Sequence, residues 1–262
     1  MVRAGLVRPP RPGRLTRLTA VAVAIPLVMG GWLFAIQRSL IYFPQPRTGP
    51  AASFTLDVDG ARLVVSVHRA ESERAVLYFG GNAEDVSHGL EAIAPAFPDA
   101  ALYLPHYRGY GGSSGRPSEA ALFADALAVF DEVHRRHAQV VLVGRSLGSG
   151  VAAYVASRRP VSRLVLVTPF ESLAAVGARH YPALLVRWLL RDRFDSAEYA
   201  AAITAPTLLL AAADDDIIPP AHAEASLRAL RPGIATLQVL NGVGHNTIHL
   251  SPAYVGLLAG GR

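Results

Sequence analysis

The sequence contains no cysteine and no lysine among its 262 residues. Without cysteine there is no disulfide, no thiol nucleophile, no thiolate metal site and no lipid anchor attached to a thiol. Without lysine there is no lysine-based catalysis, and every basic residue other than histidine is an arginine.

Acidic residues are also missing from the first 56 positions, which hold seven arginines: Arg3, Arg8, Arg11, Arg14, Arg17, Arg38 and Arg47. The whole chain has a formal charge of +5, but the part from Asp57 onward carries 18 arginines against 20 acidic residues, a net of −2. Because the positive excess is confined to the N-terminal segment, we expect no nucleic-acid partner.

Residues 18–36 form an uncharged apolar run of 19 residues, close to the ~20 that a helix needs to cross a membrane. Five arginines precede this run, so the positive-inside bias predicts a cytoplasmic N terminus and an extracytoplasmic domain. Trp32 fits an interfacial anchor. Secretion after signal cleavage is the alternative, but the run ends without a small-residue cleavage pattern. A buried core helix is disfavoured by the flanking arginines.

About half of the residues of the chain are apolar. The part that follows residue 36 is long enough for one α/β domain. The predicted division is a basic cytoplasmic segment at 1–17, a transmembrane anchor at 18–36, a juxtamembrane tether at 37–52 and a catalytic domain at 53–262 with a short cap around 171–200.

Eight short apolar runs rich in β-forming residues predict strands, with helical patterns between the later ones. The runs are Ser53–Val58, Leu63–His68, Ala75–Phe79, Ala101–Leu104, Val140–Val143, Leu164–Val167, Thr207–Ala211 and Thr236–Leu240. The later runs are continuously apolar, which is typical of parallel strands buried on both faces. A helix is clearest over Ser118–His137, where Ser118 is a candidate cap and an apolar stripe follows. After an initial hairpin, this alternation predicts a doubly wound, mostly parallel sheet with helices on both faces.

The strand at 140–143 runs into Gly144-Arg145-Ser146-Leu147-Gly148 and then into a helical pattern. This G-x-S-x-G context predicts a sharp strand-to-helix turn that holds Ser146 in strained backbone geometry. Gly144 and Gly148 are the small neighbours that such a turn requires. Ser146 is therefore the predicted nucleophile, and the Leu147 amide is a predicted donor to the oxyanion.

From Leu40 to the C terminus, the sequence resembles the α/β-hydrolase family, whose members carry the triad in the order Ser, acid, His. The resemblance implies an acid and a histidine in the loops after later strands. Within Asp214-Asp215-Asp216, the family spacing to Pro219 selects Asp215, with the other two as alternatives. His245 follows the last strand as the implied general base, and His249 is its rival.

A second oxyanion donor is expected after the third strand, at Gly80-Gly81-Asn82. Glycine lets the backbone approach a substrate closely. The Asn82 amide is the preferred donor and Gly81 is the alternative. The family more often has histidine at the position of Gly80.

Four strings resemble the branch of membrane-anchored hydrolases that includes mammalian protein depalmitoylases and the bud-emergence-suppressor proteins of yeasts. They are Leu40-Ile41-Tyr42-Phe43-Pro44, Tyr78-Phe79-Gly80-Gly81-Asn82-Ala83, Tyr107-Arg108-Gly109-Tyr110-Gly111 and Thr168-Pro169-Phe170-Glu171-Ser172-Leu173. The chain departs from the branch at His106, Glu84 and Asp85. Arg108 is interpreted as structural.

Two residues are candidates for substrate binding: Tyr107, and Trp188 within the apolar stretch 181–190. That stretch is either a small cap or a buried packing helix.

The predicted function is serine hydrolysis of an acyl ester or thioester through an acyl-enzyme, on lipid-like or small substrates near a membrane. No cofactor and no metal site are expected. A catalytically silent binding module and a peptidase or amidase on the same fold are the alternatives. The oligomeric state does not follow from the sequence.

Overall fold

The computed structural model describes residues 14–260, with the backbone alone for residues 14–24, 26 and 27. Its eight strands are β1 Ala52–Val58, β2 Ala61–His68, β3 Arg74–Phe79, β4 Ala100–Pro105, β5 Gln139–Arg145, β6 Arg163–Val167, β7 Thr207–Ala212 and β8 Ala235–Leu240. Each of the eight predicted strands is present, longer by one to three residues. Each apolar run ends where polar loop residues or turn-forming residues begin. The sequence therefore predicts the positions of the strands well.

One sheet contains all eight strands in the order β1-β2-β4-β3-β5-β6-β7-β8. The β1–β2 hairpin and the β2–β4 pair are antiparallel, and the other pairs are parallel. The central strands are buried on both faces, and β7 is buried along its whole length. The predicted mostly parallel eight-stranded sheet is confirmed.

Helices cover both faces of the sheet. The helices are α1 Arg14–Ile41, α2 Gly89–Ile93, α3 Glu119–His134, α4 Leu147–Arg158, α5 Leu173–Gly177, α6 Ala183–Leu189, α7 Ser196–Ala200, α8 Pro220–Ala229 and α9 Tyr254–Ala259. Apolar side chains of α3, α4 and α8 pack on one face, and those of α2 and α9 pack on the other. The sheet therefore has a hydrophobic core on each side.

The predicted helix at 118–137 is α3, and it ends earlier than expected. Ser118 caps it by accepting a hydrogen bond from the Ala121 amide at 3.3 Å. The helix stops at His134. His137 is buried, with one ring nitrogen 2.8 Å from the Tyr103 hydroxyl and the other 2.8 Å from the Ser72 carbonyl oxygen. Because His137 contacts Tyr103 on β4 and Ser72 in the loop before β3, the chain leaves the helical path before it reaches His137.

The predicted anchor at 18–36 lies within α1, a helix of 28 residues. In the part of the chain that the structure describes, no helix meets the length and hydropathy required of a membrane span. The basic segment at 1–13 lies outside the described residues.

The segment at 37–52 is bonded to the domain, contrary to the expectation of a simple tether. Tyr42 is buried, and the Phe43 amide donates to the Asn82 carbonyl at 3.3 Å. The Asp85 carboxylate accepts hydrogen bonds from the Thr48 amide at 2.7 Å and the Thr48 hydroxyl at 2.9 Å. The sequence could not locate these bonds because their partners lie about 40 residues away.

A buried histidine makes the fold sensitive to acid. His106 is 2% exposed, its Nε2 lies 3.0 Å from the Ser66 hydroxyl, and burial lowers its pKa from 6.5 to about 4. The unfolded chain binds this proton more readily, so the free energy of unfolding should fall as the pH drops from 6.5 toward 4. A His106 pKa of about 4 in the folded protein, against 6.5 in the unfolded chain, corresponds to a contribution of up to about 3 kcal/mol.

In urea denaturation from pH 7 to pH 4.5, His106→Gln should therefore show a smaller loss of stability on acidification than the wild type. His249→Gln changes an exposed histidine and serves as the control. Parallel pH profiles for the wild type and His106→Gln would disprove the assignment.

Candidate active site

Ser146 lies at the turn between β5 and α4, with the backbone angles φ 51° and ψ −120° that few non-glycine residues adopt. Its amide donates to the Val167 carbonyl at 2.9 Å, which fixes the turn against β6. A Cβ at Gly144 would stand 2.3 Å from the Gly148 carbonyl oxygen, and a Cβ at Gly148 would stand 2.1 Å from the Phe79 carbonyl oxygen. Close backbone approach therefore requires both glycines.

The structure brings Ser146, His245 and Asp215 together at the C-terminal ends of the parallel strands. His245 Nε2 lies 3.0 Å from Ser146 Oγ, and His245 Nδ1 lies 2.7 Å from Asp215 Oδ2. Asp215 Oδ1 accepts hydrogen bonds from the amides of Ile217 at 3.0 Å and Ile218 at 2.7 Å. The Asp215 side chain is fully buried. A buried carboxylate held in this way can orient the imidazole toward the serine hydroxyl.

The alternatives to Asp215 and His245 lie elsewhere. Asp214 and Asp216 are exposed, and the only carboxylate oxygen within hydrogen-bond distance of the His245 ring in the described chain belongs to Asp215. His249 is exposed on a short 3-10 turn. Geometry therefore selects one acid and one histidine from the candidates.

Two backbone amides that line the same cavity as Ser146 are candidates for binding an oxyanion. Leu147 is the first residue of α4, where helical geometry provides no acceptor for its N–H group. The Asn82 amide has no acceptor among residues 14–260. The Asn82 carbonyl accepts hydrogen bonds from the Tyr110 hydroxyl at 2.6 Å and from the Phe43 amide, and its side-chain amide donates to the Ile41 carbonyl at 2.8 Å. These three hydrogen bonds fix the position of Asn82.

Gly81 does not have a comparable amide, which corrects the alternative prediction for the oxyanion donor. Its N–H donates to the Glu84 carboxylate at 2.8 Å. An acidic residue three positions later satisfies the amide locally, and the sequence pattern of glycines alone did not indicate this bond.

Neither of the two residues predicted to bind substrate is among those that line the cavity with Ser146. Tyr107 is buried, and its hydroxyl donates to the Gly80 carbonyl at 2.9 Å. It therefore supports the loop of residues 80–84, which we call the oxyanion loop. Trp188 on α6 is 77% exposed and does not line the cavity that contains Ser146. The stretch 181–190 was predicted to be either a cap or a buried packing helix. Because no residue of α6 is buried, the packing helix is wrong.

A polar network that the sequence analysis missed joins three loops of the site. The Glu84 carboxylate accepts hydrogen bonds from the Tyr78 hydroxyl at 2.7 Å, from the Gly81 amide and from Arg145 Nη1 at 2.9 Å. Arg145 Nη2 donates to the Asn246 side-chain oxygen at 3.0 Å and to the His245 carbonyl at 3.3 Å. The network thereby connects the oxyanion loop, the nucleophile turn and the histidine loop.

The surroundings raise the pKa values of two members of this network, Arg145 and Tyr78. Burial would lower the pKa of Arg145, but the Glu84 carboxylate beside it raises that pKa further, and the net shift is upward. Burial, with the charge of Glu84, raises the pKa of the Tyr78 phenol well above its ordinary value. Arg145 is therefore a permanent cation and Tyr78 a neutral donor. In the sequence, Glu84 follows the Gly80-Gly81-Asn82 string and Arg145 directly precedes Ser146. Opposite charges in these two predicted site loops are the signal that could have revealed the pair.

Glu84→Gln should lower kcat for an ester substrate by about 10- to 100-fold, less than the 10²–10³ typical of losing an oxyanion donor itself. Glutamine has one acceptor oxygen in place of two, so one of the three donors loses its partner and Arg145 loses its counter-charge. KM should change little, because the substituted residue shapes the oxyanion loop without contributing an amide to the oxyanion. Glu91→Gln, at an exposed position nearby, is the matched control. Equal kcat values in the two variants would exclude this positioning role.

Ser146 and His245 open into a cavity of about 490 Å³. Apolar side chains line much of it, including Ile41, Leu173 and Ile218, and the Asn82 and Leu147 positions lie at its wall. The reacting atom of a substrate can therefore reach the serine hydroxyl and both amides from one space.

Comparison of the sequence with known proteins shows which family it is similar to. A family model described as alpha/beta hydrolase fold matches residues 74–199. An uncharacterized protein of Mycobacterium tuberculosis is 40% identical over 250 residues, covering 88% of this chain and 89% of that protein. The alpha/beta hydrolase domain-containing protein aho-3 of Caenorhabditis elegans is 32% identical over 153 residues, covering 57% of this chain and 45% of that protein.

Among solved structures, an esterase of Pyrococcus furiosus superposes with a TM-score of 0.65 at 16% identity, covering 80% of this chain and 92% of the esterase. At that identity the likeness concerns the fold alone. The chain belongs to the alpha/beta hydrolase fold family.

Proposed function

We propose that this protein is a serine hydrolase that cleaves carboxylic ester or thioester bonds through an acyl-enzyme intermediate. The observation that carries the proposal is the continuous hydrogen-bonded row from Asp215 through His245 to Ser146, with separations of 2.7 Å and 3.0 Å. Free amides beside the serine add the second requirement of acyl transfer, stabilisation of the oxyanion.

In the first half-reaction, Ser146 Oγ attacks the carbonyl carbon while its proton passes to His245 Nε2. The carbonyl oxygen becomes an oxyanion beside the amides of Leu147 and Asn82. When the tetrahedral intermediate collapses, the bond to the leaving group breaks and His245 protonates the departing oxygen or sulfur. Asp215 holds the imidazole orientation throughout.

In the second half-reaction, water replaces the alcohol or thiol. His245 Nε2 removes a proton from the water, and the hydroxide attacks the acyl carbon on Ser146. Collapse of the second intermediate releases the carboxylic acid and returns the proton to Ser146 Oγ. The amides that bind the first oxyanion also bind the second.

The proposed substrates are lipid-like or small acyl compounds. Support comes from the exposed apolar side chains on α1 and α6, which make one side of the molecule suited to apolar compounds: Ile25, Val28, Met29, Trp32, Phe34, Leu40, Leu184, Leu185 and Trp188. The resemblance to membrane-anchored depalmitoylases stays a sequence-based prediction.

Localisation enters the proposal on sequence grounds. The arginines before residue 18 and the apolar run to residue 36 favour a cytoplasmic N terminus and an extracytoplasmic catalytic domain. A reporter fused after Arg262 should be active outside the cytoplasm, and cytoplasmic activity alone would refute this orientation.

The functional test is turnover of matched p-nitrophenyl esters, thioesters and p-nitroanilides by the full-length protein. The proposal predicts turnover of esters or thioesters with a burst of leaving group equal to the enzyme concentration when deacylation is slow. Turnover restricted to anilides would favour a peptidase or amidase. A folded protein that acts on none of them would favour a silent binding module.

A further inference from the structure

A second apolar cavity lies beside the first, between α1 and the helices α5 and α6. Its volume is about 200 Å³. Leu33 and Leu40 line it from α1, and Leu185, Val186 and Leu189 line it from α6. Gln37 is the only residue with an amide side chain among those that line it. We call this cavity the α1–α6 groove.

The groove adjoins the cavity of the candidate active site. Ile41, the last residue of α1, and Leu173, the first residue of α5, line both cavities. These two aliphatic side chains therefore stand between the space beside Ser146 and the groove. Among the described side chains that line the groove, none is charged.

Polar contacts hold the walls of the groove at a fixed separation. Gln37 is 8% exposed, its side-chain amide donates to the Leu189 carbonyl at 3.0 Å, and its side-chain oxygen accepts from the Arg191 amide at 2.7 Å. Arg38 forms a salt bridge with the nearly buried Asp192 at 2.9 Å, and the Tyr42 hydroxyl donates to the same carboxylate at 3.1 Å. The end of α1 is thus bonded to the end of α6, and the groove is a preformed feature of the domain.

We propose that the α1–α6 groove binds the aliphatic chain of the acyl substrate, so that the N-terminal helix forms one wall of the substrate site. This inference rests on the proposed function, because it uses the acyl carbon on Ser146 as the starting point of the chain. The shared apolar residues Ile41 and Leu173 point to the occupant, because the aliphatic chain of an acyl group on Ser146 is the apolar group nearest to the groove. Each methylene that the groove buries should improve kcat/KM by about fourfold.

The experiment compares kcat/KM for p-nitrophenyl dodecanoate and p-nitrophenyl butanoate, each below its aggregation limit, with the full-length protein. Val186→Trp and Leu33→Trp fill the groove from opposite walls. Leu184→Trp places the same side chain at a 69% exposed position on α6 outside the groove and is the matched control. Circular dichroism checks the fold of each variant, and the second filling variant replaces the first if one does not fold.

The dodecanoate to butanoate ratio should fall by about 10² in the filling variants, which corresponds to three or four methylenes at about fourfold each. The ratio should stay at the wild-type value in Leu184→Trp. An unchanged ratio in folded filling variants, with both esters hydrolysed, would overturn the groove assignment and leave the proposed function intact.

A binding measurement separates the two claims if the wild type hydrolyses neither ester, a result that would count against the proposed function alone. Fluorescence of cis-parinaric acid reports binding of a long aliphatic chain without chemistry. Binding that is lost in Val186→Trp and Leu33→Trp but kept in Leu184→Trp would support the groove. Equal binding by the wild type and all three variants would refute it.

Discussion

Ser146→Ala should lower kcat/KM for a p-nitrophenyl ester by about 10⁴- to 10⁶-fold, the range found when a serine nucleophile is removed from a triad. The substitution removes the hydroxyl oxygen that lies 3.0 Å from His245 Nε2 and that would attack the carbonyl carbon. The residual rate would come from the oxyanion amides and from binding. Steady-state kinetics on the full-length protein measures the loss.

Ser157→Ala is the matched control, because it removes a hydroxyl from the same helix that bonds to the Tyr154 carbonyl at 2.7 Å and lies away from the site. It should keep wild-type kinetics. The Ser146→Ala variant should also keep the wild-type circular dichroism spectrum. A folded Ser146→Ala variant with more than a tenth of the wild-type kcat/KM would contradict the assignment of the nucleophile.

Asp215→Asn should lower kcat/KM by about 10⁴-fold while the fold is preserved. The asparagine oxygen can still accept the amides of Ile217 and Ile218, so the loop keeps its hydrogen bonds. Its NH₂ group would face His245 Nδ1, which forces the proton onto Nε2. An imidazole in that tautomer cannot take the proton of Ser146.

The neighbouring acids provide the controls for Asp215. Asp214→Asn and Asp216→Asn change exposed side chains, and both should stay within about twofold of the wild type. A large loss in either variant, with Asp215→Asn close to the wild type, would show that the wrong acid had been assigned.

The sequence predicted the sheet, and it singled out Ser146, Asp215 and His245, which the structure brings together, because the strands and the turn around Ser146 depend on local patterns. A strand buried on both faces is continuously apolar, and β5, β6 and β7 have that pattern. The turn around Ser146 needs glycine on both sides for steric reasons that hold in any context. Once the nucleophile was located, family order and spacing left few choices for the acid and the histidine.

Hydrogen-bond partners far apart in the chain could not be predicted in the same way. Tyr107 belongs to a string that resembles a hydrolase branch, but whether its hydroxyl meets substrate or the Gly80 carbonyl depends on the packing of two loops. The glycine pattern made the Gly81 amide a candidate donor, but in the structure this amide donates its hydrogen bond to the Glu84 carboxylate. Burial of each group is set by tertiary contacts, which the sequence pattern does not carry.

The junction between α1 and the domain is the other feature that the sequence did not indicate. Residues 37–52 have the composition of a linker, rich in proline and aromatics, and that composition predicted a tether. The bonds of Gln37 and Arg38 to the end of α6 depend on partners more than 150 residues away. They make the last turn of α1 part of the proposed substrate site.

Covalent labelling with a fluorophosphonate probe tests the central claim most directly, because the probe modifies only a serine activated as a nucleophile. The full-length protein should gain the mass of one probe molecule less HF, because Ser146 Oγ displaces fluoride from phosphorus, and peptide mapping should locate that mass on Ser146. The Ser146→Ala variant should gain none. Absence of labelling in the folded wild-type protein, or labelling that persists in Ser146→Ala, would contradict the assignment of this protein as a serine hydrolase.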